Sequence, residues 1–275
     1  MRLDKIIRNI GGTYTAGDGA AEIDAICSDS RKVTRGSLFV AVKGFAFDGH
    51  EYISRAIGKG ARAVVYDNEQ AIENQRHEIL EEGITLIKVD CSRKALALIA
   101  ANFYGNPSEK LTLVGITGTN GKTTTKELVS RVLSQRYSVY ATRGNLNNHI
   151  GVPLTLLAMD DSIEFGVVEM GASAQKEIEL LCSISQPNYG IITNIGNAHL
   201  EGFGGKDGIK RGKGELYDFL EANGSRAFVP KEDQVLVDMA AERANMAVEF
   251  YSRTIAEGYK SLLSGEYNRF NIAVA

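Results

Sequence analysis

Cysteine is scarce in this chain of 275 residues. Cys27, Cys91 and Cys182 form no C-x-x-C pair, leave one thiol over in any disulfide scheme and have no zinc-site spacing. A disulfide framework is excluded, and free thiols in a reducing compartment are expected. Charge of one sign is missing too. Lys and Arg total 31 against 34 Asp and Glu, a net charge of −3, which leaves no basic footprint for nucleic acid and no acidic tail. No apolar run approaches a membrane span, and Met1-Arg2-Leu3-Asp4-Lys5 leads into no apolar signal region. The expectation is a cytoplasmic protein with no nucleic-acid partner and no membrane insertion. Any anion it binds must be held by local geometry.

What is present is ordinary for a globular protein, with 44% hydrophobic and 24% charged residues. At about 150 residues per domain the length predicts two domains. Strand patterns at 37–42, 61–66 and 84–89 alternate with helices at 50–59 and from Ser92, which is placed to cap the second. The cluster Tyr104-Gly105-Asn106-Pro107-Ser108 marks a boundary, giving domains 1–108 and 109–275. Beyond it, strands at 111–116, 137–141, 165–169 and 189–195 are separated by helices, one opening near Lys122 with Leu128, Val129, Val132 and Leu133 on one face. The fold class is α/β: a small N-terminal α/β domain, then a phosphate-loop domain with a mostly parallel sheet flanked by helices. The last residues, Asn271 to Ala275, read as a helix barely begun, and a C-terminal truncation is expected.

The most informative segment is Gly115-Ile116-Thr117-Gly118-Thr119-Asn120-Gly121-Lys122-Thr123. A buried strand enters a Gly/Thr/Asn loop, then Gly-Lys-Thr, then an amphipathic helix. Glycines let backbone N–H groups converge on phosphate oxygens, and a helix N-terminus adds partial positive charge. Lys122 can reach β and γ phosphates, and the Thr123 hydroxyl can ligate Mg²⁺. The strict G-x-x-x-x-G-K-[ST] pattern fails, because Ile116 stands five before Gly121. The segment still reads as an ATP or GTP site.

Phosphoryl transfer needs a divalent metal. Glu169 ends a buried strand, where open α/β sheets bind ligands; it is either a metal ligand or a solvated charge. His199 follows a later strand and is either functional or merely exposed; His50, His77 and His149 show no metal spacing. Lys210, Arg211 and Lys213 read, from spacing alone, as a solvated basic helix face.

Four stretches together carry a resemblance: Thr117 to Thr123; Gly144 to Thr155 (GNLNNHIGVPLT); Glu169-Met170-Gly171-Ala172; and Asn194 to Gly204 (NIGNAHLEGFG). Over essentially the whole chain the sequence resembles the Mur ligases, ATP-dependent amide ligases of peptidoglycan synthesis. Within that family it is most similar to the branch that joins D-alanyl-D-alanine to UDP-N-acetylmuramoyl-tripeptide.

The resemblance implies ATP and Mg²⁺ as cofactors and those two substrates as partners of a monomer. It implies that Thr117, Gly118, Thr119, Asn120, Gly121, Lys122 and Thr123 bind nucleotide. Glu169 and His199 would ligate magnesium with Thr123, and Asn268 of Asn268-Arg269-Phe270-Asn271 would contact adenine. Lys122, His199 and Lys213 would be catalytic, Lys213 as the lysine that several members carbamylate. Ser28, Ser30 and Arg31, with Phe45, Ala46 and Phe47, would hold the UDP end; Asn145 and Asn148 would contact substrate. Against this stand a sister ligase adding one amino acid, a folate polyglutamate ligase, a non-catalytic nucleotide-binding fragment, and a P-loop kinase or GTPase.

Overall fold

The computed structural model describes every residue except 18, 45, 46, 74, 75, 104–110, 150 and 161, together with all side chains but those of 77, 78, 80, 97, 101 and 157. The chain divides into two compact units, Met1–Gly105 and Asn106–Ala275. The boundary expected at 108 falls outside the described residues.

The first unit is built on a five-stranded sheet in the order β1-β5-β4-β3-β2. Its strands are β1 (Thr13–Ala16), β2 (Ala25–Cys27), β3 (Ser37–Val40), β4 (Ala63–Tyr66) and β5 (Thr85–Lys88). All pairings are parallel except β1 against β5. Successive side chains point to opposite faces of a strand, and both faces here are apolar. Leu38, Val40, Ala63, Val65 and Ile87 join one core with Leu96 and Ile99 of the helix Ser92–Phe103. Phe39, Val64, Tyr66 and Leu86 join the other with Ile53 and Ile57. Burial on both faces explains why the central strands read as unbroken apolar runs.

One expectation fails here. The Ser92 hydroxyl is buried and makes no hydrogen bond, and Ser92 is itself the first helical residue. Its N–H donates instead to Asp67 Oδ2 at 2.8 Å. A carboxylate arriving from the end of β4 takes the role assigned to the serine, which is favourable at a helix N-terminus.

The second unit holds six parallel strands in the order β11-β10-β9-β6-β8-β7. They are β6 (Thr112–Thr117), β7 (Val139–Ala141), β8 (Phe165–Glu169), β9 (Tyr189–Ile192), β10 (Arg226–Pro230) and β11 (Ala247–Tyr251). After β6 the chain builds one side of the sheet through β7 and β8, then crosses to build the other. Loops leaving β6 and its neighbours therefore diverge at the C-terminal ends, the crevice where open α/β sheets take ligands. The helix Lys122–Leu133 follows β6 and buries Thr125, Lys126 and Val129. Val132, expected on its apolar face, is 51% exposed. Thr125, Lys126 and Val129 centre the buried face between 126 and 129, which leaves Val132 at its edge. Among the described residues no helix is long and apolar enough to cross a membrane.

Candidate functional site

The loop after β6 has its shape because two of its residues are glycines. Gly118 has φ 137°, and a Cβ there would collide with Thr193 Oγ1. Gly121, at φ 81°, is the N-cap of the helix Lys122–Leu133. The first N–H groups of that helix have no intrahelical acceptor and converge with its partial positive charge on the mouth of the loop. Lys122 folds back across it, donating from Nζ to the carbonyls of Gly118 at 2.9 Å and Thr119 at 3.0 Å. Burial pushes its pKa down, and the charge of Glu169 pulls it partly back. Thr123 is exposed on the first turn.

Glu169 lies beside this loop because β8 pairs with β6, Glu169 opposite Ile116. It is 2% exposed, so the reading of a solvated strand-end charge is wrong. Its N–H donates to Thr142 Oγ1 at 3.0 Å, and its Oε1 accepts from Asn147 Nδ2 at 2.7 Å. Its other oxygen, Oε2, is buried with no hydrogen-bond partner. An unpaired buried carboxylate oxygen is costly. Hard divalent cations prefer such an oxygen, so the donor present fits Mg²⁺. Behind it Thr142 O accepts from the buried ammonium of Lys126 at 2.7 Å, which fixes the strand that orients Glu169.

His199 stands in the loop after β9 with φ 57°, exposed, at the start of the short helix Leu200–Phe203. Lys213 lies on the helix Lys206–Ala222 but not on a solvated face: it is 3% exposed. Its Nζ donates to Ala172 O at 3.3 Å and lies 5.3 Å from the ring centre of Phe203. Burial, then the charge of Lys122, push its pKa down to about 8 against the pull of Glu177 and Glu215. Lys210 does fit the solvated reading, pairing with Glu242 at 3.1 Å.

Glu215, two residues beyond Lys213 on the same helix, accepts the N–H groups of Lys176 at 2.6 Å and Glu179 at 2.9 Å. It thereby holds the loop carrying Ala172. Sequence reading assigned no role to Glu215, Asn147 or Thr142, although Asn147 lies in the stretch 144–155 that carries the resemblance.

A cavity of about 650 Å³ opens from the phosphate loop, lined among others by Asn120, Gly121, Thr124, Asp233, Tyr267 and Asn271. Asn268 is buried and braces Asn271. Its Oδ1 accepts from Asn271 Nδ2 at 3.0 Å while its own amide donates to Ser264 O at 2.6 Å. Asn271 Oδ1 in turn accepts from Thr125 Oγ1 at 3.1 Å, tying the last helix to the phosphate-loop helix.

The remaining candidates are more dispersed. Asn145 and Asn148 are exposed, and Asn148 Oδ1 accepts from Gly151 N at 2.9 Å, capping the helix Gly151–Leu157. In the first unit Ser30 is buried and Ser28 half-buried. The Arg31 guanidinium lies 2.8 Å from Asp29 Oδ2 and holds that carboxyl at about 2. Phe47 is 73% exposed, and Phe45 and Ala46 lie outside the described residues.

Parallel strand, glycine-bent loop, helix N-terminus and a carboxylate on the neighbouring strand end define a phosphate-loop α/β domain. Comparison with known proteins carries this further. The "Mur ligase middle domain" model matches residues 116–275, and the "Mur ligase family, catalytic domain" model matches 22–104. The UDP-N-acetylmuramoyl-tripeptide–D-alanyl-D-alanine ligase of Bacillus subtilis (strain 168) is 37% identical over 210 residues, 76% of this chain and 44% of the relative. Among solved structures, MurF from Acinetobacter baumannii is similar with TM-score 0.75 at 29% identity, covering 91% of this chain and 54% of that one. MurF ligase from Thermotoga maritima in complex with ADP has TM-score 0.68 at 31% identity, covering 85% of this chain and 51% of that one. The chain belongs to the Mur ligase family. It spans about half the length of the relatives it matches.

Proposed function

We propose that this chain carries the nucleotide and UDP-substrate sites of an ATP-dependent ligase that joins D-alanyl-D-alanine to UDP-N-acetylmuramoyl-tripeptide in the cytoplasm, as a monomer. The observation that carries the reading is the buried, unpartnered Oε2 of Glu169 beside a lysine-bearing phosphate loop. Similarity to the D-alanyl-D-alanine-adding ligases supports the substrate pair.

The chemistry follows from the substrates. A carboxylate is a poor electrophile, so one of its oxygens first attacks the γ-phosphorus of ATP. ADP leaves and an acyl phosphate results. The dipeptide amine then attacks the acyl carbon, inorganic phosphate departs, and the amine proton is lost to solvent or a base. Catalysis of the first step lies mainly in positioning and charge stabilisation. Lys122 leaves its two carbonyl partners to meet the transferring phosphoryl group, and the helix N-terminus receives the neighbouring oxygens. Thr123, Glu169 and His199 would hold Mg²⁺, which supplies charge neutralisation between nucleotide and acceptor. Asn271, backed by Asn268, walls the adenine end of the cavity. In the first unit Ser28, Ser30, Arg31 and the 45–47 segment take the UDP end; Asn145 and Asn148 face the peptide. Lys213 is suited to carbamylation, since its lowered pKa leaves neutral amine to attack CO₂ with loss of a proton.

Isothermal titration with Mg²⁺–ATP and, separately, UDP-N-acetylmuramoyl-tripeptide tests the reading, with Lys122→Ala as control. Both ligands bind the parent chain and Lys122→Ala loses only the nucleotide. Failure of the UDP substrate to bind removes the first-unit assignment; failure of both removes the proposal. ADP release dependent on D-alanyl-D-alanine, and not on single amino acids, separates this ligase from its sister enzymes.

A further inference from the structure

We propose that Asn194 is the positioning residue of the phosphate loop: its carboxamide pairs with both backbone groups of Asn120 and sets where the phosphate-binding N–H groups point. The inference rests on the nucleotide reading above and assigns a residue that makes no phosphate contact of its own.

The β6–β9 ladder continues past the strands, with Thr193 N donating to Thr117 O at 2.9 Å. Asn194 then meets the loop three times. Its carbonyl accepts from Thr119 N at 3.1 Å. Its Oδ1 accepts from Asn120 N at 3.1 Å, and its Nδ2 donates to Asn120 O at 2.9 Å. That same carbonyl of Asn120 accepts from Thr193 Oγ1 at 2.6 Å. Gly196 N closes the junction by donating to Thr119 Oγ1 at 2.9 Å.

A backbone carbonyl has two lone pairs and an amide one proton. The peptide groups of Asn120 are therefore fully engaged by Thr193 and Asn194, and none of them faces a phosphate. The donors left for phosphate begin at Gly121 and run into the first turn of the helix. Their direction is set by the peptide just before them, which Asn194 holds at both ends. Gly118 sits against the same two residues, where a Cβ would collide with Thr193. The loop is thus seated on the β9 exit before any ligand arrives, and such preorganisation raises affinity by lowering the ordering cost of binding. The segment that seats it leads five residues on to His199.

Only a carboxamide serves both partners. Aspartate keeps an acceptor for Asn120 N–H but turns a second acceptor, negatively charged, toward Asn120 O; alanine removes both bonds. The rival role for Asn194, which also lines the cavity, is direct contact with the nucleoside.

The test compares the 275-residue chain with Asn194→Ala and Asn194→Asp in two ways. Hydrogen exchange of the Asn120 amide is followed by NMR in nucleotide-free protein, and the affinities of Mg²⁺–ATP and adenosine are measured by titration. Asn194→Ala is expected to expose the Asn120 amide and to weaken Mg²⁺–ATP by about tenfold or more, with adenosine changed far less. Asn194→Asp is expected to keep the amide protected yet weaken Mg²⁺–ATP. Unchanged exchange at Asn120 in the alanine variant overturns the proposal. So does an equal loss for ATP and adenosine, which marks a nucleoside contact. If alanine prevents folding, the aspartate variant still decides, since undiminished ATP affinity there refutes the proposal. If the parent chain itself binds no ATP, it is the nucleotide reading that has failed, and the exchange experiment still reads the Asn194–Asn120 bond.

Discussion

The polar turns of the first unit and the polar crevice of the second are built on opposite plans. In the first unit the charged side chains at strand ends find partners within the protein. Arg31 grips Asp29, and the buried ring of His50 lies 2.6 Å from Asp48 through Nδ1 and 3.0 Å from Asp67 through Nε2. Burial pushes the Asp48 carboxyl up, but the bonds from the His50 N–H and ring hold it below its ordinary value. In the second unit Glu169 leaves one oxygen unpartnered, and burial lowers the pKa of both Lys122 and Lys213. A closed network maintains the shape of a loop. An open one stores unmet electrostatic demand that a ligand satisfies, and perturbed groups gather where that happens.

The largest effect that separates the plans is expected at Lys122. Lys122→Ala removes the only flexible cation on the loop and should weaken Mg²⁺–ATP about a hundredfold, since charge-assisted bonds to phosphate are worth about 1.5–3 kcal/mol each. Stability should change little, because the substitution also removes a partly buried cation whose desolvation opposes its two bonds to carbonyls. A large loss of stability with little loss of affinity would place Lys122 in the closed class.

His50→Ala tests the other side. It deletes a buried ring between two carboxylates, and breaking such a pair costs 3–5 kcal/mol when fully buried. Asp48 and Asp67 are partly exposed, so about 2 kcal/mol is expected in urea denaturation, with nucleotide affinity unchanged. A variant as stable as the parent would show that the first-unit network does not hold its loop.

Glu169→Gln should move stability and binding in opposite directions. Without the buried charge the nucleotide-free protein gains about 1 kcal/mol. The Mg²⁺-dependent part of ATP affinity falls about tenfold, read by titration with and without the metal. Equal affinity for Mg²⁺–ATP in both proteins would show that Oε2 is not a metal ligand.

How far the sequence could show this contrast depended on how local each signal was. β8 was read at its observed limits, Phe165–Glu169, because a strand buried on both faces spells itself as an apolar run. β1 and β2 escaped, being edge strands with half-exposed residues and no such run. The phosphate loop was legible because strand, glycines, lysine and helix are consecutive. Asn147 and Asn194 were not, since their partners lie 22 and 74 residues away. Lys213 shows the limit most clearly: neighbouring cations suggest a wet face, and only the packing of Phe203 and the Ala172 loop buries it.

That burial gives the sharpest test of the open plan. Lys213 has a folded pKa of about 8 against the ordinary 10.5. Between those values the unfolded chain binds the proton that the folded chain has released, so stability rises with pH across the window. The slope contributed is at most about 1.4 kcal/mol per pH unit. Lys213→Met lacks it. In CO₂-free buffer the parent should therefore gain on Lys213→Met as pH rises from 8 toward 10, followed by urea denaturation at each pH. Tyr217 and Tyr251, whose pKa values burial raises, act in the opposite sense above pH 10 in both proteins and cancel in the difference. With bicarbonate present a carbamate would replace the titrating amine and flatten the difference. Parallel pH profiles without CO₂ would mean that Lys213 keeps its proton as an ordinary lysine does, and the crevice would lose one of its open groups.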